Sequence, residues 1–402
     1  MFENGFDTSS SENLYFFYYI SLCGNVGPVL YERIKRTFGS PEEFLFADEK
    51  TLKNTGRFSD RQIQRFIDVK KDDRIKREFD RMNHMGIKMI PIEDNDYPKL
   101  LKDISDPPVV LFVKGKIPSK TAVNVGVIGA RECSDYGKAV ADRLGDALAR
   151  AGVCVVSGMA RGIDSLSQAA ALRAGGSSIA VLGGGVDVIY PRESKALYYD
   201  LAKEGTIISE YPPGTMPQRQ FFAMRNRIIS GISHTLAVIE AKEKSGTLIT
   251  VDNALSQGRD VYTVPGRITD ITSYGTNELI CQGAGIISDV NAFADEIAKR
   301  FGESSVSKLI NPEEEIKPIQ YTETEIDIIK NIGENSFTID HMSSVIELPT
   351  FEILGLCMTL CEKDILSSLG AGRFRATIKG IDIRNAILRE ADECSDELDC
   401  NT

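Results

Sequence analysis

Seven short runs of apolar, mostly β-branched residues recur through the middle of the chain, and they constrain its fold more than any other feature. The runs span residues 123–128, 153–156, 179–182, 206–208, 236–239, 261–264 and 286–287. Helical patterns lie between most of them, at 136–151, 163–174, 195–203 and 248–257. Strands that are apolar along their whole length and alternate with helices indicate a mostly parallel sheet covered on both faces. We therefore predict an α/β fold with a doubly wound, Rossmann-like sheet.

The front of the chain has a different character. Residues 1–11 are polar, and we expect them to be disordered. Residues 12–70 carry short helical patterns broken by glycine and serine, and Ser40 before Pro41 and two glutamates is typical of a helix N-cap. This segment resembles a helix-hairpin-helix or sterile-alpha-motif domain, although a plain helical cap on the next domain fits equally well. We assign residues 71–302 to the Rossmann-like domain.

The end of the chain is also distinct. Residues 303–320 are polar and contain three consecutive glutamates, which predicts a linker. Three short helical patterns and a glycine-centred hairpin follow, and together they resemble a winged-helix domain over residues 321–385. Residues 386–402 form an acidic tail.

The net charge of −11 argues at first against nucleic acid as a partner. Residues 291–402, however, hold 22 Asp and Glu against 11 Lys and Arg, so the acidic excess lies entirely there. The near-neutral remainder can still concentrate cations in one groove. No run approaches eighteen apolar residues, no secretion signal is recognisable at the N-terminus, and the eight cysteines are scattered. These features indicate a cytoplasmic protein without a membrane span.

Glycine-rich turns follow four of the predicted strands. Because the carboxyl ends of parallel strands meet at one edge of a sheet, the N–H groups of such turns can converge on an anion. The sequence therefore predicts a DNA- or phosphate-binding rim made by Gly129, Arg131, Ser157, Gly158, Arg161, Gly162, Gly185, Ser245, Gly246 and Thr247. The dinucleotide spacing G-x-G-x-x-G is absent, and Arg131 in the first turn favours a phosphodiester over NAD. The alternative is that Arg131 forms a surface ion pair.

A basic and aromatic segment lies between the third and fourth of these turns. Three arginines and two phenylalanines within residues 219–227 suit single-stranded DNA, because cations bind the backbone while a ring stacks on a base. The candidate contacts are Arg219, Phe222, Arg225, Asn226 and Arg227. The alternative is that the arginines form salt bridges. We expect one of Phe221 and Phe222 to lie in the core and the other to be exposed.

These motifs, in this order, resemble the DNA-processing protein A family (DprA, also called Smf). The resemblance is most specific over residues 96–290 and rests on Gly129-Ala130-Arg131, Ser157-Gly158-Met159-Ala160-Arg161-Gly162-Ile163-Asp164, Gly185-Val186-Asp187, Arg225-Asn226-Arg227 and Ser245-Gly246-Thr247. It implies a homodimer, formed through the Rossmann-like domain, that protects incoming single-stranded DNA. It also implies that the protein loads RecA recombinase onto that DNA during natural transformation, without a cofactor. Arg131, Arg219 and Phe222 would then contact the strand.

Three positions depart from the family pattern. Ala130 stands where the family usually has serine, Ser167-Gln168 where it has Ala-His, and Ala223 where it has proline. Replacing histidine by Gln168 removes a titratable group but keeps a hydrogen-bonding one. This change fits binding better than catalysis.

No nucleophile beside a base, no acid/base carboxylate pair and no zinc-ligand spacing is recognisable, so we predict neither catalytic residues nor a metal site. The alternative function is a nucleotide phosphoribohydrolase of the "lonely guy" type, whose motif needs a glutamate three residues after the Gly-Thr pair. The corresponding place after Gly246-Thr247 lacks it. A third hypothesis is a regulator that binds specific DNA sequences through the C-terminal module. The acidic balance there disfavours DNA contact and favours a protein contact or a vestigial role.

Overall fold

A computed structural model of the 402-residue chain divides into two compact units, Met1–Leu309 and Ile310–Thr402. It describes residues 11–24, 26–117, 119–302, 321–333, 336–363, 365–370, 372–377, 380–381, 383–385 and 387–388. The predicted linker lies outside these residues. The same holds for nearly all of the predicted disordered N-terminus and of the acidic tail, although Ser11 begins the first helix.

A nine-stranded sheet forms the centre of the first unit. Its strands are β1 (Ile87–Pro91), β2 (Val110–Gly115), β3 (Asn124–Ile128), β4 (Cys154–Ser157), β5 (Ser178–Val181), β6 (Thr206–Ser209), β7 (Thr235–Val238), β8 (Asp260–Thr263) and β9 (Gly285–Ile286). Their spatial order is β1-β2-β6-β5-β4-β3-β7-β8-β9. The seven strands from β6 to β9 in this order are parallel, whereas β1 and β2 add an antiparallel edge. The predicted mostly parallel, doubly wound sheet is thus confirmed.

Helices cover both faces of this sheet. The helices that follow β1 are α7 (Lys99–Lys102), α8 (Asp135–Arg150), α9 (Ile163–Arg173), α10 (Lys195–Glu204), α11 (Arg219–Gly231), α12 (Gly246–Ser256), α13 (Tyr274–Cys281) and α14 (Val290–Phe301). Apolar residues of α8, α9 and α14 pack on one face, and those of α10, α11 and α12 pack on the other. The chain leaves β3 in one direction towards β4 and returns on its other side as β7. This change of direction opens a crevice at the carboxyl ends of β3 and β7, where open α/β sheets bind ligands.

The N-terminal helices are rich in aromatic residues and share the core of the sheet. They are α1 (Ser11–Leu22), α2 (Pro28–Thr37), α3 (Pro41–Phe46), α4 (Glu49–Asn54), α5 (Asp60–Lys70) and α6 (Arg74–His84). Ser40 accepts a hydrogen bond from the Glu43 N–H, so the predicted N-cap is confirmed. The Tyr18 ring meets Phe112 of β2 edge-on at 6.3 Å between centroids. The domain boundary after residue 70 stays a prediction, but this packing joins the helices firmly to the sheet.

A half-buried histidine lies at the amino end of the central strands. The N–H of Asn124 donates to Nδ1 of His234 at 3.0 Å, and the Phe301 ring lies 5.1 Å from the imidazole. Burial lowers the pKa of His234 below its usual value of 6.5. The folded protein therefore favours the neutral form of the His234 imidazole.

We expect this histidine to make stability depend on pH. The folded chain binds a proton at His234 less readily than the unfolded chain, so stability is lost as the pH falls through 6.5. Melting temperatures of the wild type and His234→Gln at pH 7.5 and pH 5.5 test this. The melting temperature of the wild type should fall more on acidification than that of His234→Gln, because the glutamine side chain does not take up a proton. An equal loss in both proteins would contradict the assignment.

The second unit contains α15 (Glu323–Asn331), β10 (Phe337–Thr338), α16 (Ile339–Ile346), α17 (Thr350–Glu362), β11 (Leu366–Gly370) and β12 (Arg373–Ala376). The strands form a small sheet in the order β10-β12-β11, over a core of their own. The three short helices and the hairpin are therefore present as predicted, and the winged-helix assignment stays a prediction. Among the described residues no single helix is long and apolar enough to cross a membrane. The pair α16 and α17, bent by 108°, passes that test only when the two are taken together.

Candidate DNA-binding cleft

A cleft of about 890 Å³ lies at the carboxyl ends of the parallel strands. Its walls come from the turns after β3 and β4, from the first half of α11, and from the loop that joins β7 to α12. The β3 turn and the β7–α12 loop flank the crevice at which the sheet changes direction. A neighbouring cavity of about 750 Å³ shares Arg131, Tyr190 and Phe222 with this cleft.

The N-terminus of α8, which follows β3, already holds an anion of the protein itself. The Glu240 carboxylate, buried at the end of β7, accepts hydrogen bonds from the Ser134 N–H at 3.0 Å and from the Ser134 hydroxyl at 2.5 Å. A Cβ on Gly137 would lie 2.5 Å from the same carboxylate. A dinucleotide fold places the ligand pyrophosphate at this helix end. Here the site is filled by Glu240.

The turn after β4 is held in an unusual backbone conformation. Met159 has φ of 52° and Gly162 has φ of 86°. A Cβ on Gly162 would approach the Ala130 carbonyl oxygen to 2.3 Å, so only glycine fits there. The buried Gln168 accepts a hydrogen bond from the Met159 N–H at 3.0 Å and donates to the Ile179 carbonyl at 3.1 Å. Gln168 therefore fixes this turn, a structural role that fits the loss of the family's histidine.

Arg225 is buried below the same turn and does not offer its guanidinium to the cleft as a free cation. Its side chain is 4% exposed, and it donates to the carbonyl of Gly158 at 2.9 Å and to that of Val181. Burial lowers the pKa of Arg225 to about 10 and raises the pKa of the neighbouring Asp164, and the opposite charges partly offset both effects. Asp164 also accepts from the Gly158 N–H at 3.2 Å. The pair supports the turn.

The prediction that Arg227 contacts DNA does not agree with its position. Its guanidinium lies 2.7 Å from a Glu210 oxygen and 3.2 Å from an Asp106 oxygen, and the side chain is largely buried. These two ion pairs compensate the charge of the Arg227 guanidinium within the protein. The alternative reading, that this arginine forms salt bridges, applies to Arg227.

The two phenylalanines differ from the expectation of one core and one exposed ring, because both are half-buried. Phe221 stacks on Tyr211 with 4.2 Å between centroids. Phe222 faces the cleft, where Tyr190 lies 5.3 Å away and the Arg131 guanidinium lies 5.8 Å from its ring. Both rings lie near the start of α11.

Four exposed cations converge on the cleft, namely Arg131, Arg219, Lys242 and Lys244. Over the described parts of the chain, none of the four has an acidic side chain within ion-pair distance. A fifth, Arg161, is exposed but paired with Glu132 at 2.9 Å. Sequence reasoning missed the two lysines and the role of Tyr190. The signal was present, because Lys242 and Lys244 directly precede the turn at Ser245.

The start of α12 completes the wall opposite Arg131. Ser245 caps this helix by accepting from the Thr247 N–H, and the Thr247 hydroxyl donates to the Gly129 carbonyl at 3.3 Å. These bonds join the first and last of the four turns. Gly246, at the first position of the helix, is exposed and has open space where a side chain would lie.

The structure brings most of the predicted residues together. Those lining the cleft are Gly129, Arg131, Arg161, Arg219, Phe222, Arg225, Asn226, Ser245, Gly246 and Thr247. Gly158 lines the neighbouring cavity. Ser157, Gly162 and Gly185 are not on either wall: the Ser157 hydroxyl donates to the Val127 carbonyl, and Gly185 is buried against Asp187. These residues support the turns without lining either cavity. DNA contact by any of them stays a prediction.

The described residues contain no group of three or more histidine, cysteine, aspartate or glutamate side chains that could hold a metal ion. The cleft instead combines unpaired cations and an aromatic pair. Such a surface can bind a polyanion that carries planar groups.

Comparison with known proteins agrees with this geometry. The family model for DNA recombination-mediator protein A matches residues 88–298. DNA processing protein DprA of Bacillus subtilis (strain 168) is 45% identical over 216 residues, which cover 54% of this chain and 73% of that protein. Protein Smf of Escherichia coli (strain K12) is 32% identical over 313 residues, covering 76% and 82% of the two chains.

A solved structure extends the likeness to three dimensions. The X-ray structure of DNA processing protein A (DprA) from Streptococcus pneumoniae has a TM-score of 0.61 and 31% sequence identity, and the match covers 73% of this chain and 98% of that one. The match of the family model to more than half of the chain, together with these relatives, identifies the chain. It belongs to the DNA recombination-mediator protein A family, whose members are also called DprA and Smf.

Proposed function

We propose that this chain binds single-stranded DNA across the cleft, with little sequence preference, as a step in DNA recombination. The observation that carries the proposal is that four unpaired cations, Arg131, Arg219, Lys242 and Lys244, line the same cleft as the ring of Phe222. These cations would neutralise phosphates of the strand.

The aromatic pair favours a single strand over a duplex. Phe222 and Tyr190 are half-buried and exposed, respectively, so each has ring surface available for a base. Bases in a duplex are already stacked on each other and cannot reach such a ring, whereas the bases of a single strand can. Arg225 would support the site by holding the turn at Gly158. Asn226 would contribute from the cleft wall.

We further propose that the protein works as a cytoplasmic homodimer that protects incoming DNA and loads RecA recombinase onto it during natural transformation. The dimer would form through the Rossmann-like domain. Exposed apolar residues support this, since Ile286 lies in the edge strand β9, and Ile268 and Ile271 lie between β8 and α13. Large exposed apolar surfaces at a sheet edge favour association.

We also propose that the chain is not an enzyme. Its cleft holds the buried Thr250 where the phosphoribohydrolase motif would need a glutamate. The carboxylate of Asp164 accepts a hydrogen bond from the Gly158 N–H and lies beside Arg225, so its role is structural.

The test is a binding titration with a fluorescent single strand and the matched duplex, run beside an assay for base or phosphate release from nucleoside monophosphates. We expect tighter binding of the single strand and no release above that of an Arg131→Ala control. Equal or tighter binding of the duplex would overturn the strand preference. Release that depends on Arg131 would favour the phosphoribohydrolase instead.

Removing the Phe222 ring should weaken binding of single-stranded DNA by roughly 1–3 kcal/mol with the salt dependence nearly unchanged, because the lost contact is stacking. Stability should fall by less than the 3–5 kcal/mol typical of a fully buried phenylalanine, since this ring is half-buried. Binding titrations and melting curves on Phe222→Ala measure both. Phe221→Ala is the matched control, because that ring packs on Tyr211 outside the cleft wall. A loss of affinity as large in the control would remove the stacking role.

A further inference from the structure

The third helix of the second unit, α17, presents an apolar stripe that no described residue of this unit covers. Phe351, Leu354 and Met358 are exposed by 73%, 43% and 52%. Their spacing of three and four residues places them on one face of the helix. The opposite face, with Ile353, Cys357 and Leu360, is fully buried in the core of this unit. The stripe is therefore held rigidly in place.

The charges on and before α17 argue against the role that such a helix has in winged-helix proteins that bind DNA. There the third helix enters the major groove and needs cations for the phosphates on either side. The exposed charged residues of α17 are Glu352 and Glu362, and the exposed Glu347 lies three residues before the helix begins. Three carboxylates around the stripe would repel a DNA backbone. They would attract a basic surface.

The shape of the stripe suits a helix. Gly355 lies within it, and a Cβ at this position would meet no atom within 4 Å. The glycine leaves a notch between Phe351 and Met358 that can receive a side chain of a partner. Methionine adapts its shape to the group that it contacts. Apolar side chains around a notch form the kind of surface on which amphipathic helices dock.

We propose that this stripe docks an amphipathic helix of a partner protein, with apolar residues at i, i+3, i+4 and i+7 and with lysine or arginine at its flanks. A second copy of this chain fits less well, because its own stripe carries the same acidic residues and the two sets would repel each other. The module would thus bring a basic protein segment to the DNA bound by the first unit. This inference does not depend on where the DNA lies.

The test uses the full chain and two labelled synthetic peptides. One is an amphipathic helix of leucine and lysine, and the other has glutamate in place of every lysine. We expect the lysine peptide to bind at least ten times more tightly than the glutamate peptide in an anisotropy titration at low salt. The double variant Phe351→Ala/Met358→Ala should lose at least tenfold of this affinity. Glu352→Lys should reduce the difference between the affinities of the chain for the two peptides.

The control variant is Val29→Ala, which removes an apolar side chain of equal exposure from α2 of the first unit. It should bind both peptides as the wild type does. The melting temperature of every variant should stay unchanged, because each replaced side chain is exposed. Peptide binding that survives loss of Phe351 and Met358 would overturn the proposal. So would self-association, or binding of duplex DNA, that this double variant abolishes.

Discussion

Replacing Arg131, Arg219 and Lys244 together by alanine should weaken binding of single-stranded DNA about 100-fold at 0.1 M salt. Each phosphate contact contributes about 0.7 to the slope of log affinity against log salt, so three lost contacts lower that slope by about 2. The estimate applies to these residues because they are exposed, line one cleft and have no acidic partner within the described chain. Binding titrations over a series of salt concentrations give the affinity and the slope together.

The matched control replaces Lys53, Lys116 and Arg150, which are exposed and ion-paired elsewhere on the surface. It changes the net charge by the same amount, so a general effect of charge would appear equally in both triple variants. We expect the control to keep the wild-type slope. If the cleft variant kept that slope too, the strand would lie on another face of the molecule.

Arg225→Ala should destabilise the protein by about 3–5 kcal/mol, the usual cost of removing one partner from a buried ion pair. The substitution would leave the Asp164 carboxylate buried without its cation, and the Gly158 and Val181 carbonyls without a donor. Urea unfolding measures the change in free energy. Arg219→Ala, in the first turn of the same helix, should stay within about 0.5 kcal/mol of the wild type because that side chain is exposed.

A second variant separates burial of charge from loss of packing. Arg225→Met combined with Asp164→Asn removes both charges and keeps most of the volume, so it should recover a large part of the lost stability. If Arg225→Ala is as stable as Arg219→Ala, the Arg225 guanidinium does not hold the turn. Failure of the double variant to recover any stability would assign the loss to packing.

The sequence predicted the sheet well because its signals are local. The parallel strands are short apolar runs, and the turns after four of them are rich in glycine, so both features can be recognised without knowledge of the packing. The strand β2 was missed, although 110–113 is apolar, because it pairs antiparallel with β1 and lies outside the alternation of strands and helices.

The site was predicted less completely because an arginine that binds DNA and one that forms salt bridges look the same in a sequence. Arg225 and Arg227 are two residues apart, yet their partners come from far along the chain. Arg225 meets Gly158 and Arg227 meets Asp106, 67 and 121 residues earlier. Only the folded chain distinguishes them from Arg219. Gly162 was predicted from its glycine-rich turn; its positive φ is needed for that turn, and its contact with DNA stays a prediction.

The carboxylate of Glu240 at the N-terminus of α8 has a consequence for the protein inside a cell, where free nucleotides are abundant. A phosphate of ATP or NAD that approached this helix end would have to displace an anion that is tethered to the sheet and so never diffuses away. A free nucleotide would therefore bind weakly at this helix end. A long strand bound in the cleft as we propose would not need this helix end, because it would make many contacts elsewhere. The internal carboxylate would thus favour a polymer over a monomer and leave the protein available for DNA among small phosphate compounds.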